Sequence, residues 1–124
     1  AKAFDKVDHT ILVSKLLCYG VSEPLLSWIS SYLKERSLVV KIGPTTSSPF
    51  SPTSGVPQGS LLGPCLFNVF VNDLLDEVAV EALQFADDLK IFTTVSSPED
   101  SKKIQDSLSA VEDWCIRNNM SVNP

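Results

Sequence analysis

Apolar residues recur at helical spacing in three stretches of this chain, run almost unbroken in a fourth, and gather in short β-prone runs elsewhere. Ile11, Leu12, Leu16 and Leu17 predict a first helix, with Asp8 as its N-cap and Gly20 as its stop. Leu25, Trp28, Ile29, Tyr32 and Leu33 predict a second helix with one buried face, capped by Ser22 and with Pro24 in its first turn. Leu38 to Ile42 reads as a strand ended by Gly43-Pro44. The Thr-, Ser- and Pro-rich residues 45 to 55 read as a loop or hairpin arm with room for a second strand.

From Ser60 the pattern becomes apolar nearly all round, which predicts a helix packed on more than one side, with Pro64 tolerated near its start. Val78 to Phe85 and Asp88 to Val95 are β-prone runs meeting at Ala86-Asp87-Asp88, a hairpin. Ser97-Pro98-Glu99-Asp100 resembles a capping box, and Ile104, Leu108, Val111 and Cys115 continue it as an amphipathic helix ending near Asn118-Asn119. The order of elements predicts an α+β fold, a small antiparallel sheet with helices packed on one face.

At 124 residues the chain suits one domain with one core. Hydrophobic residues make up 44% and charged residues 20%, a globular composition. No apolar run approaches the roughly 20 residues of a membrane span, and the first residues lack the pattern of a signal peptide. Cys18, Cys65 and Cys115 are far apart in apolar segments and read as reduced core thiols of an intracellular protein. The net charge of −5 is unlike that of a self-sufficient nucleic-acid binder, so any such grip needs a local patch or further parts. With no initiator Met and an abrupt end at Pro124, the chain reads as a piece of something longer.

Candidate chemistry begins at L-Q-F-A-D-D-L-K-I-F, residues 83 to 92, where Asp87 and Asp88 adjoin inside an apolar run. Burying such a pair is costly unless it is paired or holds a metal. Mg²⁺ takes hard oxygen ligands and keeps waters or substrate phosphates, so one or two carboxylates per ion suffice. Alone, the pair also reads as a solvated turn. S-G-V-P-Q-G-S-L-L-G-P, residues 54 to 64, sets three glycines and two prolines around Gln58 just before the apolar helix. A glycine-rich turn at a helix N-terminus favours anions, and an ordinary loop-to-helix turn explains it equally. The other polar and aromatic residues have structural readings. His9 and the faces holding Trp28 and Trp114 belong to the fold, Asn72 and Asp73 are solvated or capping, and Lys90 is an exposed strand residue.

Together A-F-D-K-V-D-H, S-G-V-P-Q-G-S-L-L-G-P-C-L-F and F-A-D-D-L-K-I-F resemble, in order and spacing, the central motifs of reverse transcriptases. The likeness is to the RNA-directed DNA polymerases of non-LTR (LINE-like) retrotransposons, and W-C-I-R-N-N-M-S-V-N-P resembles that family's next motif. The resemblance implies residues 1 to 124 as a partial domain, the palm core of a right-hand-shaped polymerase without fingers or thumb. It implies Asp87 and Asp88 as catalytic metal ligands for two Mg²⁺ ions. Phe4 would pack under the incoming sugar and exclude a 2′-hydroxyl, and Gln58 and Gly59 would line the nucleotide pocket. Arg36 lies in a connection that could meet a template or primer phosphate.

The family's first motif reads D-x-x-K-A-F, and its Asp would stand two positions before Ala1; Asp5 and Asp8 do not replace it. A Lys that usually follows the N-P ending would stand beyond Pro124. The chain alone is therefore expected to be inactive. The partners implied are an RNA template, a DNA primer, dNTPs and other domains of the same polypeptide, with no membrane. The implied location is intracellular, in the nucleus and cytoplasmic ribonucleoprotein. The alternatives are a domesticated or decayed non-catalytic module, and a reverse transcriptase of the group II intron or retron type.

Overall fold

In the computed structural model, which describes residues 2–123, the first helix, α1, spans His9–Cys18. Asp8 starts it as expected, accepting hydrogen bonds from Thr10 N (2.8 Å) and Ile11 N (3.1 Å). The Ile11 bond, followed by one from the Asn119 side chain, holds the Asp8 carboxyl below its ordinary value of 3.8. The cap's contribution is thus complete above that value and is lost as pH falls through the lower folded value. Asp8→Ala is expected to cost about 1 kcal/mol near neutral pH. The gap from wild type should narrow in urea melts as the pH drops below the ordinary value; a gap independent of pH would contradict the role of the charge.

Helix α2 spans Leu25–Lys34 and departs from expectation in two ways. Pro24 holds the N-cap position, and the first-turn N–H of Ser27 donates to Glu23 Oε2 (3.2 Å), not to Ser22. Only Ile29 and Leu33 are buried, while Leu25 and Trp28 are more than half exposed and Trp28 stacks on Tyr32 at 5.4 Å. The five apolar residues share a face, but α1 covers only part of it. Trp28 is therefore not a core residue, whereas Trp114 is, at 2% exposure.

The strands form two separate antiparallel pairs. β1 (Lys41–Ile42) and β2 (Thr45–Thr46) flank the Gly43-Pro44 turn, and Leu38 bridges to Phe50 farther down the arm. β3 (Glu81–Phe85) and β4 (Asp88–Phe92) form the expected hairpin, with Phe85 opposite Asp88. Side chains on a strand alternate between faces. Leu89 and Ile91 accordingly pack toward the core, while Leu83 and Phe85 point outward. The result is an α+β arrangement of helices and small antiparallel sheets.

Helix α3, Leu62–Val71, buries Gly63, Leu66, Phe67, Phe70 and Val71. Phe67 stacks on Phe4 and Phe70 meets Trp114 edge-on, so two sides are packed. A third side is open, because Leu62, Cys65 and Asn68 are exposed. Cys18 is exposed too; all three cysteines are free, but only Cys115 is partly buried. They are not core thiols as a set. Apolar sequence neighbours placed Cys18 and Cys65 on helices without placing them on the inner face.

Helix α4, Pro98–Arg117, starts at the expected capping box of Ser97 and Asp100. Leu108 is about half exposed, and Ser107 is buried in its stead, accepting from Ala79 N. Asp73, expected to be solvated or capping, joins three elements. It accepts from Lys15 Nζ (2.6 Å) and Trp114 Nε1 (3.0 Å), while Lys15 also donates to Phe70 O and lies over both the Phe70 and Trp114 rings. Burial pushes the Lys15 ammonium below its ordinary pKa, and Asp73 works against that shift. Asn72 donates to the Tyr19 hydroxyl at the surface.

Candidate nucleotide and metal site

The segment before α1 and the loop before α3 are sewn together. Residues Ala3–Lys6 form a 3₁₀ turn. Against it, Val56 N donates to Phe4 O (2.9 Å), Gly55 N to Val7 O (2.8 Å) and Ser54 Oγ to Asp5 O (2.8 Å). Gly55 is the point of closest approach. It takes φ of 88°, and a Cβ there would lie 2.8 Å from Asp5 Cα. Its carbonyl accepts from His9 Nε2 (2.8 Å) and Arg36 Nη2 (3.0 Å). Because that oxygen can only accept, His9 Nε2 carries the proton.

Arg36 donates its Nε to Leu33 O as well. Two of its five N–H donors thus go to backbone carbonyls, so Arg36 pins the loop. The anion cradle is reduced. Gly55 and Val56 donate inward, and Gly63 N donates to Ser60 Oγ, so those three N–H groups are already used.

Gln58 and Gly59 stand at the exposed rim of this loop, where Gly59 takes φ of 78°. Gln58 Nε2 donates to Asp5 Oδ1 at 2.7 Å. Phe4 is half-buried, its ring held flat on Phe67 at 4.1 Å. Asp87 is in the hairpin turn, after Ala86 at φ of 51°. A cavity of about 280 Å³ is lined by Phe4, Gln58, Gly59 and Asp87 together with Lys2, Ala3 and Pro64. Four of the five residues singled out from the sequence therefore meet, from three segments far apart in the chain.

Asp88 opens β4 and faces a neighbouring cavity of about 570 Å³, which Asp87 also borders. Segment Met120–Asn123 lines that second cavity. It is tied to the first segment by Asn119 Nδ2 to Asp8 Oδ2 (2.9 Å) and Lys6 Nζ to Ser121 Oγ (2.5 Å). Both acids are exposed, and among the described residues neither carboxylate is engaged in a hydrogen bond or ion pair. They offer oxygen donors of the kind Mg²⁺ takes, in number enough for part of a site. Among the described residues no group of three or more His, Cys, Asp or Glu side chains is gathered. The position two before Ala1 and Pro124 itself lie outside the described residues.

Sequence reasoning missed Asp5, His9 and Arg36 as loop anchors, and Asp73 as a core partner. The partners in question lie 19 to 58 positions away, and no periodicity marks them.

The family described as reverse transcriptase (RNA-dependent DNA polymerase) matches residues 1–124. The chain is 33% identical over 132 aligned residues to the probable RNA-directed DNA polymerase from transposon BS of Drosophila melanogaster, covering 99% of this chain and 14% of that protein. It is 32% identical to the RNA-directed DNA polymerase from mobile element jockey of Drosophila funebris, covering 98% and 14%. To the retrovirus-related Pol polyprotein from type-1 retrotransposable element R2 of Popillia japonica it is 27% identical, covering 71% and 17%. The chain belongs to the reverse transcriptase family, and its relatives include the polymerases of non-LTR retrotransposons. It spans about one-seventh of the length of the first two relatives.

Proposed function

We propose that this chain is the palm core of an RNA-directed DNA polymerase that extends a DNA primer on an RNA template, from a non-LTR retrotransposon. The observation that carries this reading is the meeting of Phe4, Gln58, Gly59 and Asp87 on one cavity, with Asp88 beside them. Two Mg²⁺ ions, when bound, would activate the primer 3′-oxygen and offset charge on the phosphates of the incoming nucleotide. Asp87 and Asp88 would hold those ions, Asp87 the more directly, with a third carboxylate from the preceding segment of the polypeptide. Phe4, braced by Phe67, backs the sugar and leaves no room for a 2′-hydroxyl. Gln58 and Gly59 orient the nucleotide. The other domains of the polypeptide would grip template and duplex, in keeping with this chain's acidic balance. The protein would act inside the cell, in the nucleus and in cytoplasmic ribonucleoprotein. Among the described residues no helix is long and apolar enough to cross a membrane.

Phe4→Ala in the complete polymerase tests the sugar contact. Removing the ring is expected to raise NTP use relative to dNTP use by about 10- to 100-fold, the scale of a lost steric contact. Competitive incorporation of dNTP and NTP measures it. An unchanged ratio removes Phe4 from this role.

A further inference from the structure

We infer that Asp5 is a positioning residue, which fixes the side-chain amide of Gln58 so that an oxygen acceptor faces the cavity. This rests on the reading of that cavity as the nucleotide site. Asp5 follows Phe4 in the 3₁₀ turn, and its Oδ1 lies 2.7 Å from Gln58 Nε2. An ionised carboxylate has only acceptors. A flipped amide would set two oxygens against each other, so the nitrogen must face Asp5. Gln58 Oε1 is then left for the cavity that Gln58 lines with Phe4, Gly59 and Asp87. The group it meets on a bound nucleotide must be a hydrogen-bond donor.

Asp5 is well placed to impose this orientation. Its own backbone is held at N by Lys2 O and at O by Ser54 Oγ. The loop carrying Gln58 is pinned separately by Gly55 and Val56 to Val7 and Phe4, and by His9 and Arg36 to Gly55 O. Those contacts use no atom of the Asp5 side chain. Losing the carboxylate therefore frees the Gln58 side chain without freeing its loop. A long amide side chain ordered in advance does not have to be ordered by the ligand.

Two measurements test this. In the 124-residue chain, the side-chain amide signals of Gln58 in a ¹⁵N-resolved spectrum should shift and exchange faster in Asp5→Leu, while the backbone signals of Gly55 and Val56 stay in place. Unmoved Gln58 signals overturn the inference whatever the chain's activity. In the complete polymerase, Asp5→Leu should raise KM for dNTP by about tenfold with a much smaller change in kcat. Asp5→Asn keeps an oxygen acceptor and should recover KM to within about threefold of wild type. In a Gln58→Ala background, Asp5→Leu should add almost nothing.

Additive effects of the two substitutions overturn the inference, as does an Asp5→Asn as impaired as Asp5→Leu. Should Asp5→Leu fail to fold, Asp5→Ser, too short to reach the amide, takes its place in both experiments. A wild-type polymerase that does not extend a primer would defeat the functional reading. The amide signals would still decide the Asp5 to Gln58 contact.

Discussion

In the complete polymerase carrying this segment, Asp87→Asn is expected to bring primer extension to background while the protein remains folded. The substitution keeps the side chain's size and exchanges a charged oxygen for an amide. Asp87 is exposed in the hairpin turn and borders both cavities, so little packing depends on it. Its loss should leave the thermal midpoint within about a degree or two, as for surface changes of under about 0.5 kcal/mol. The loss of rate should reach at least about 10²–10³-fold, the scale for removing a group that acts directly on charge at a reacting centre. Extension of a labelled primer and a thermal melt on one preparation read both quantities. Wild-type extension by Asp87→Asn would reject the metal role and leave a folded module without that chemistry. The 124-residue chain alone, with only Asp87 and Asp88 of the expected carboxylates, should show no extension in the same assay.

Gly55→Ala is expected to damage the fold through strain and close approach together. Gly55 takes φ of 88°, which costs a residue with a Cβ about 1–3 kcal/mol before any contact is counted. The added carbon would also stand 2.8 Å from Asp5 Cα and 2.9 Å from Asp5 O, both backbone atoms that cannot turn aside. Relief requires the loop to lift from the 3₁₀ turn, breaking the Val56 to Phe4 and Gly55 to Val7 bonds. Gly43 offers the comparison. It also has positive φ, 58°, but nothing lies within 4 Å of a Cβ built there. Gly43→Ala should therefore cost only the conformational part. Denaturant melts of the two variants separate strain from close approach. Equal losses would mean that the approach at Gly55 does not constrain the fold.

The helices were legible wherever a cap agreed with a periodic face. Asp8 and the Ser97/Asp100 box announced α1 and α4, and both cap their helices by the expected bonds. Periodicity failed at Trp28 because it says which residues share a face, not how much of that face a neighbour covers. At Cys18 and Cys65 the core reading rested on apolar sequence neighbours, which put a residue on a helix without saying which face it takes. The strands divide into two pairs, and the Gly43-Pro44 turn joins β1 and β2 of two residues each. The candidate site was legible through motif resemblance, not through spacing. Contacts between segments were not legible at all. Asp5 and Gln58 are 53 positions apart, His9 and Gly55 46, Lys15 and Asp73 58. Nothing local in the chain distinguishes an Asp that will meet a Gln from one that faces solvent.

The bond from Asn119 to Asp8 closes a loop of 111 residues. In folding terms the cleft has no local precursor. Helices α1 and α4 can form from their own caps, but the cavity walls come from positions 4, 58, 87 and 120 onward and exist only after the chain has closed on itself. Loop-closure entropy grows slowly, about 0.6 kcal/mol per doubling of length, so that closure is affordable once the core supports it. Contacts of this span slow folding more than they weaken the folded state. A partly folded chain would hold most of its helix and none of its site, so helical content measured during refolding should recover before the contacts around Asp87 do.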